Sequence, residues 1–310
     1  MYNDNTRPLI DFSRPADYTA VCDFTDMLIS RYPFLSVSHI GESVLGRRII
    51  MITLGNEEAE KSVLYVGAHH GMEWICTLVL FRFINEYCEY YKNGKSPFGI
   101  NIQNLFQTRC IRIVPQLNPD GVQLQIHGAD RACPLYDRLV KMSGGDFSHW
   151  QANARGVDLN HNYNSGFTEY KRLEEEKGYI PGPTRYSGIC PESEPETGAL
   201  ASLIRYSSDN IRMILTLHTQ GEEIFYTSGG VCPPGAESIG KKLSSLCGYK
   251  LSKPDGCAAY GGLTDWFIEE FNRPSFTIEC GKGENPLPQG DYFRIYAGVR
   301  EMLFWAALLI

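Results

Sequence analysis

The sequence predicts an α/β protein in which helices cover both faces of a central sheet. Short apolar runs with the length and composition of buried strands alternate with segments of helical periodicity. Several of these runs end directly in a His or Glu, and sites in open α/β sheets form at the carboxyl ends of the strands. The 310-residue chain contains no internal repeat, low-complexity stretch or long Ser/Gly/Pro linker. We therefore expect a single domain over residues 1–310.

The first half of the chain is predicted to supply two helices and four strands. The strand at 63–66 has the clearest signature, because Val63-Leu-Tyr-Val66 is entirely apolar and includes β-branched and aromatic residues. Asn118-Pro-Asp-Gly121 is a strong turn signal, and the chain from there to Ala154 is expected to be loop-rich. The elements are a helix over 16–31, strands over 37–40, 48–54 and 63–66, a helix over 73–91 and a strand over 110–115.

The second half continues the alternation. Ser193 is predicted to cap a helix over about 193–206, since Glu196 completes a capping box and Pro195 is tolerated in the first turn. The remaining elements are a strand over 211–217, helices over 236–246 and 263–271, a strand over 275–278 and a closing helix that contains 301–309.

Composition and charge exclude several function classes. The formal net charge is −7 and no Lys/Arg run occurs, so nucleic acid is not an expected partner. The longest apolar run, Met302–Ile310, is too short to span a bilayer, and the polar residues 1–8 lack the apolar core of a signal peptide. None of the ten cysteines forms a Cys-x-x-Cys pair, and Cys76, Cys110 and Cys280 lie in or beside apolar runs, as buried free thiols do. These features predict a cytoplasmic protein without a membrane span.

The stretch after the strand at 63–66 carries the first candidate site residues. His70 and Glu73 are three residues apart where the strand gives way to a helix, and one helical turn would put both side chains on one face. An imidazole and a carboxylate at this spacing can hold two corners of a tetrahedral zinc site. The pair alone is a weak signal, because a glutamate at a helix start is also favoured by the helix dipole.

Two further strand ends carry residues of the same kind. His218 follows the strand at 211–217, and Glu279 follows the strand at 275–278. Singly, a core histidine and an ion-paired glutamate are the commoner roles, but these strand ends should share one edge of the sheet. Two histidines and a glutamate are the three protein ligands of a catalytic zinc, with a fourth position left for water.

Five motifs in a fixed order point to a known family. They are Gly67-x-x-His70-x-x-Glu73-Trp74, Asn118-Pro-Asp-Gly121, Gly156-Val-Asp-Leu-Asn160, His218 after an apolar strand, and Phe276-Thr-Ile-Glu279. In combination they resemble the zinc metallocarboxypeptidases of the carboxypeptidase A type. The resemblance runs from about residue 10 to the C-terminus and implies a three-layer α/β/α domain around a mixed, mostly parallel eight-stranded sheet.

The same resemblance implies the cofactor and its ligands. One zinc ion per chain is expected on His70, Glu73 and His218, with Glu279 as general base. His69 competes with His70 as a ligand, but only His70 has a glutamate three residues on.

The resemblance also implies a hydrolytic mechanism. Zinc polarises the scissile carbonyl and lowers the pKa of a water molecule to about 7, while Glu279 takes a proton from that water and delivers it to the leaving amine. The oxyanion then needs a cation beside the metal. The arginine that the family places directly after a tryptophan is absent, because Gln151 follows Trp150, and Met72 replaces a second common arginine. Arg155 is the nearest guanidinium and our candidate, with a structural role as the alternative.

The substrate prediction depends on His161. Ordinary members carry Asn-Arg where this chain has Asn160-His161, and the arginine fork binds the terminal carboxylate of the substrate. Asn-His resembles instead the branch that cleaves bacterial cell-wall peptides between the γ-carboxyl of D-glutamate and meso-diaminopimelate. The expected partner is a peptidoglycan stem peptide, bound by Asn160, His161, Tyr260 and Thr264. Tyr260 is a candidate because Cys257 stands where the family commonly has a tyrosine, and packing is its alternative role.

Two other functions stay open on the sequence alone. A conventional carboxypeptidase would use the same chemistry to remove C-terminal residues and would tolerate His161 as a neutral replacement. A non-catalytic binding module is disfavoured, because such a module has no need of Glu279 beside a complete ligand set. The two enzymes can be distinguished by whether the protein cleaves stem peptides or acyl-amino acids. Failure to bind zinc would favour the binding module.

Overall fold

The computed structural model describes residues 10–254 and 260–310, so Cys257 lies outside the described residues. Its central feature is one sheet, whose strands are β1 (Ser36–Glu42), β2 (Arg48–Gly55), β3 (Ser62–Gly67), β4 (Cys110–Val114), β5 (Ile211–His218), β6 (Glu223–Phe225), β7 (Lys250–Ser252) and β8 (Ser275–Glu279). These eight strands follow the order β1-β2-β4-β3-β5-β8-β6-β7 across the sheet.

The centre of the sheet is parallel and its flanks are partly antiparallel. β3 lies between β4 and β5 and pairs in parallel with both, and β8 continues the parallel set beside β5. β6 and β7 pair in parallel with each other, whereas the β1–β2, β2–β4 and β6–β8 pairs are antiparallel. The sheet is therefore mixed and mostly parallel, which confirms the predicted fold class.

Helices cover both faces of this sheet. They are α1 (Tyr18–Arg31), α2 (Ile75–Lys92), α3 (Ile102–Thr108), α4 (Pro119–His127), α5 (Tyr136–Ser143), α6 (Phe167–Lys177), α7 (Pro195–Tyr206), α8 (Ala236–Cys247), α9 (Leu263–Phe271) and α10 (Tyr292–Ala306). Val63 and Tyr65 of β3 pack in one core with side chains of α1, α2, α8 and α10. The alternate residues Leu64 and Val66 pack in a second core with α7 and α9. Because successive strand side chains point to opposite faces, the protein has three layers and every residue of β3 is buried.

The predicted turn at 118–121 is instead the start of a helix. The Asn118 side chain accepts a hydrogen bond from the Gly121 backbone N–H at 2.8 Å, and Pro119 occupies the first turn of α4. The turn prediction was wrong because Asn, Pro and Asp are favoured both in turns and at the first positions of a helix. The stretch that was expected to be loop-rich contains α4 and α5.

One helix start and one helix end also differ from prediction. The N-cap of α7 is Glu194, not Ser193, because the Ser193 hydroxyl donates to the Glu194 carboxylate at 2.9 Å and accepts from Asn162 Nδ2 at 3.0 Å. The closing helix α10 begins at Tyr292 and ends at Ala306, three residues before the end of the predicted stretch 301–309. The short elements α3, α6, β6 and β7 have no counterpart in the prediction, since none carries a clear apolar period.

Two findings concern the surroundings of the chain. Over residues 10–254 and 260–310, no helix combines the length and the apolarity needed to cross a bilayer. The nine cysteines in this part of the chain are free thiols. Cys76, Cys88, Cys110 and Cys280 are buried in the apolar cores or beside them.

Candidate active site

The loop that carries the first metal ligands begins where β3 ends. Ala68 has a φ of 51°, a left-handed value that is uncommon outside glycine, and it turns the chain out of the sheet. The residues Gly71–Glu73 then form one 3₁₀ turn that leads into α2. A Cβ on Gly71 would lie 2.4 Å from the Gly121 carbonyl oxygen and 2.8 Å from that of Trp150. Only glycine fits there, so the loop is held tightly against the start of α4.

Three donor side chains converge at the carboxyl ends of β3 and β5. His70 Nδ1 lies 2.9 Å from Glu73 Oε1, and His218 Nδ1 lies 3.0 Å from Glu73 Oε2. Their ligand atoms all lie within 4.8 Å of one another. Two imidazole nitrogens and a carboxylate are the ligand set of a catalytic zinc. The donor set therefore fits the metal, and His70, Glu73 and His218 would hold it.

His69 belongs to the surroundings of this set. Its Nε2 lies 3.2 Å from the Tyr163 hydroxyl, and its ring stacks on that of His218 with 5.3 Å between the ring centroids. His69 is fully buried. Of the two adjacent histidines, His70 is the one that supplies a ligand atom, as predicted.

The carboxylates beside the ligand set have shifted pKa values. Burial alone would raise the pKa of Glu73, but the charges of His70 and His218 outweigh burial and lower it to about 2. Glu279 pairs in register with His218 across β5 and β8. Its pKa is raised to about 8 by burial and by the negative charge of Glu73. A cation held by the ligand set would favour the ionised form of Glu279, which is the form that accepts a proton.

Asp158 orients His70, a role that the sequence did not reveal. His70 Nε2 lies 3.1 Å from Asp158 Oδ1, so this nitrogen donates to the carboxylate while Nδ1 faces the metal position. The second oxygen, Oδ2, accepts from the Arg185 backbone N–H at 3.0 Å. Burial opposes ionisation of Asp158, yet the neighbouring His70 and the hydrogen bonds that the carboxylate accepts from His70 and the Arg185 backbone hold its pKa well below the usual range. The only signal in the sequence was its place in the Gly156–Asn160 motif.

We expect Asp158→Asn to weaken zinc binding by about 10–100-fold, the usual loss for an outer-shell partner. The amide keeps the size of the carboxylate but removes its charge, so His70 becomes a poorer ligand. Competition with a chromogenic chelator would measure the zinc affinity. Asp146→Asn, at an exposed turn where the carboxylate accepts from the Ser148 N–H, is the control. Wild-type affinity in Asp158→Asn would contradict the orienting role.

A cavity of about 520 Å³ contains the ligand set and several predicted residues. The sequence-predicted residues that line it are the three ligands together with Glu279, Asn160, His161 and Thr264. Thr264 is buried, and its hydroxyl lies 2.9 Å from Thr277 Oγ1. Further lining residues, which were not predicted as site residues, include Gln151, Asp158, Thr184, Arg185, Glu223 and Asp265.

In the described part of the chain, two predicted residues do not line this cavity. Arg155 Nη1 lies 3.5 Å from Glu194 Oε2, and the Arg155 side chain is 47% exposed. The ring of Tyr260 lies against Gly166, and its backbone carbonyl accepts from His161 Nδ1 at 2.8 Å. The structure thus places Arg155 in an ion pair and Tyr260 in a packing position behind His161.

Comparisons with known proteins identify the family. Residues 21–297 match the zinc carboxypeptidase family, peptidase M14. The chain is 34% identical to gamma-D-glutamyl-L-diamino acid endopeptidase 1 of Lysinibacillus sphaericus, over 93% of this chain and 71% of that protein. It is 35% identical to the uncharacterized protein YqgT of Bacillus subtilis strain 168, over 94% of this chain and 77% of that protein.

A comparison with solved structures finds the same fold in a carboxypeptidase. Carboxypeptidase A from Helicoverpa armigera superposes with a TM-score of 0.73 at 19% identity, over 99% of this chain and 76% of that one. The family match, the fold and the converging donors lead to one assignment. The chain belongs to the zinc carboxypeptidase family, peptidase M14, and is a zinc metallopeptidase with His70, Glu73 and His218 as its metal ligands.

Proposed function

We propose that this peptidase cleaves bacterial cell-wall peptides at the amide bond between the γ-carboxyl of D-glutamate and meso-diaminopimelate. The observation that carries the proposal is the hydrogen-bonding state of His161. This residue stands where a carboxylate-binding arginine would favour ordinary C-termini. Its surroundings make it a neutral hydrogen-bond acceptor, as its contacts indicate.

His161 offers the cavity a hydrogen-bond acceptor. Its Nδ1 lies 2.8 Å from the Tyr260 carbonyl oxygen, which can only accept, so Nδ1 carries the proton. Burial lowers the pKa of His161, which favours the neutral ring, and Nε2 then presents a lone pair. The ring is fixed by stacking on Tyr170, with 4.1 Å between the centroids. A neutral acceptor suits an ammonium or amide N–H of the substrate and is a poor clamp for a carboxylate.

The cavity wall carries charges of both signs. Arg185 lies on it together with the carboxylates of Glu223 and Glu284. A diaminopimelate residue ends in a second amino-acid head, which presents an ammonium and a carboxylate side by side. A wall of mixed charge with a neutral His161 is suited to such a head, whereas a simple C-terminal residue offers only the carboxylate.

The relative from Lysinibacillus sphaericus supports the same substrate class. Its name describes cleavage between a γ-D-glutamyl group and an L-diamino acid, and it is similar to this chain over most of both lengths. We extend that activity to this protein as part of the proposal, with a peptidoglycan stem peptide as the partner. The proposal also includes a cytoplasmic setting, which the free thiols of the described cysteines support.

The residues present can carry out this hydrolysis. Zinc, when bound to its three ligands, polarises the scissile carbonyl and makes water more acidic. Glu279 lies at the end of β8 beside His218, where its carboxylate takes a proton from water and passes it to the leaving amine. The γ-linkage is chemically an amide, so the same residues serve for it as for an ordinary peptide bond.

Digestion of defined peptides tests the proposal directly. The purified enzyme should cleave L-Ala-γ-D-Glu-meso-diaminopimelate and hardly touch N-acyl-L-phenylalanine or N-acyl-L-lysine, with products followed by mass spectrometry. Preference for the acyl-amino acids, with the tripeptide left intact, would replace the proposal by a conventional carboxypeptidase.

Replacement of His161 should shift this preference. His161→Arg introduces a charged fork, so we expect the ratio of kcat/KM for acyl-amino acids over the tripeptide to rise by about 5–150-fold, equivalent to about 1–3 kcal/mol. His161→Gln keeps a neutral side chain and is the matched control that should retain the wild-type preference. An unchanged ratio in His161→Arg would remove His161 from substrate selection.

A further inference from the structure

Amide hydrolysis creates an oxyanion, which needs a cation or a hydrogen-bond donor beside it. Arg155 lies outside the cavity, paired with Glu194. Over residues 10–254 and 260–310, Arg185 is the only Lys or Arg that lines it, and its guanidinium donates to the Tyr179 hydroxyl at 2.8 Å and lies over the Tyr179 ring. A preorganised donor at the developing charge is usually the largest single catalytic contribution. A neutral donor in the cavity wall is the alternative to these two arginines.

Gln151 lines the cavity, and both its backbone N–H and its carbonyl are hydrogen-bonded. Its N–H donates to the Pro183 carbonyl at 2.9 Å. Its own carbonyl accepts from the Gly71 N–H at 2.8 Å and from Asn118 Nδ2 at 3.1 Å. Gly71 belongs to the loop between the ligand His70 and the ligand Glu73, so Gln151 is attached directly to that loop.

The side-chain amide of Gln151 is oriented by Thr184. The Thr184 hydroxyl donates to Gln151 Oε1, and it also lies 3.5 Å from Asp158 Oδ2. An amide whose oxygen is held in this way points its NH₂ group in the other direction. Among the described residues, none accepts a hydrogen bond from Gln151 Nε2, whereas Oε1 has Thr184 as its donor. Thr184, which orients Gln151, thus lies beside Asp158, the carboxylate that orients His70.

We propose that Gln151 is a catalytic residue whose Nε2–H donates to the oxyanion at the scissile carbonyl, and that Thr184 is its positioning residue. The donor is neutral, so it adds no positive charge to a cavity that already holds a metal site. Its amide oxygen is already satisfied by Thr184, so the donor needs little reorganisation as charge develops. The assignment rests on the proposed function only in that the substrate is an amide.

Gln151→Met keeps the length of the side chain and removes the donor. We expect kcat to fall by about 10²–10³-fold, as when an oxyanion donor is removed elsewhere, with KM changed much less. The affinity for a phosphinate analogue of the cleaved amide, measured by calorimetry, should fall by a similar factor, while zinc content stays at the wild-type level. Arg155→Met tests the rival donor. Loss of kcat and analogue affinity in Arg155→Met, with both retained in Gln151→Met, would overturn the assignment.

Thr184 supplies a second and milder test. Thr184→Val preserves shape but frees the amide, so kcat should fall by about 5–10-fold, as for one hydrogen bond of ordinary strength. Thr184→Ser retains the hydroxyl, so its kcat should be close to that of the wild type. Equal kcat values for Thr184→Val and Thr184→Ser would overturn the positioning role. All variants are assayed on whichever amide the wild type cleaves. Failure of the wild type on the γ-linked tripeptide therefore counts against the substrate proposal and leaves the Gln151 test intact.

Discussion

Glu279→Gln is expected to keep wild-type zinc content and to lose at least about 10²–10⁴-fold in kcat, the usual contribution of general acid–base catalysis. Glutamine has nearly the same shape, but its amide accepts no proton from water. Glu279 is held at this position by the β5–β8 pairing, where Cys280 N–H donates to the His218 carbonyl at 2.7 Å. The change should therefore alter chemistry with little effect on structure. Steady-state kinetics and metal analysis of the same preparation measure both quantities.

A neighbouring glutamate provides the control for this result. Glu222 bonds with Lys282 and Arg294 at the surface, and its backbone N–H donates to the Glu279 carbonyl at 2.8 Å. Its carboxylate does not line the cavity within the described residues. Glu222→Gln should therefore leave kcat close to that of the wild type. Near-normal turnover in Glu279→Gln would show that another group moves the proton.

The second large effect is expected for His218→Ala, which should weaken zinc binding by more than about 100-fold, beyond the range for an outer-shell residue. The change removes one of three protein ligands and leaves Glu73 Oε2 without the imidazole that lies 3.0 Å away. The peptidase activity should fall in proportion to the fraction of protein that holds zinc. Zinc affinity by chelator competition, and zinc content after dialysis, would measure the effect.

His69→Gln separates loss of a ligand from local disturbance. His69 contacts the His218 ring and the Tyr163 hydroxyl but supplies no ligand atom. The amide can keep a hydrogen bond to Tyr163, so the variant should retain zinc. If His218→Ala retained zinc and His69→Gln lost it, His69 and not His218 would be the metal ligand.

The metal ligands could be predicted because their signals are local. His70 and Glu73 lie within one turn after an apolar strand, and His218 directly ends another. The carboxyl ends of adjacent parallel strands meet at one edge of the sheet, so a pattern of strand ends was enough to bring these residues together. The fold class followed from the same alternation of helices and buried strands.

The rest of the site depends on contacts between distant segments. Asp158 reaches His70 across 88 residues of sequence, and Thr184 reaches Gln151 across 33. No spacing rule predicts such pairs. Arg155 was chosen by nearness in the sequence, but Glu194, which follows it by many residues, is its partner in space. The strands β6 and β7 were missed because three residues are too few to establish a period.

The ligand set also determines when in folding the protein can acquire its metal. Glu73 and His218 are separated by 145 residues in the chain. Glu73 lies in the 3₁₀ turn after β3, and His218 is the last residue of β5. The three donors therefore come together only after β3 and β5 have paired, which requires closing a long loop at an entropic cost. Small zinc domains differ, because metal binding drives their folding. Here we expect the apolar cores on the two faces of the sheet to assemble first, so that zinc binds to an already folded chain.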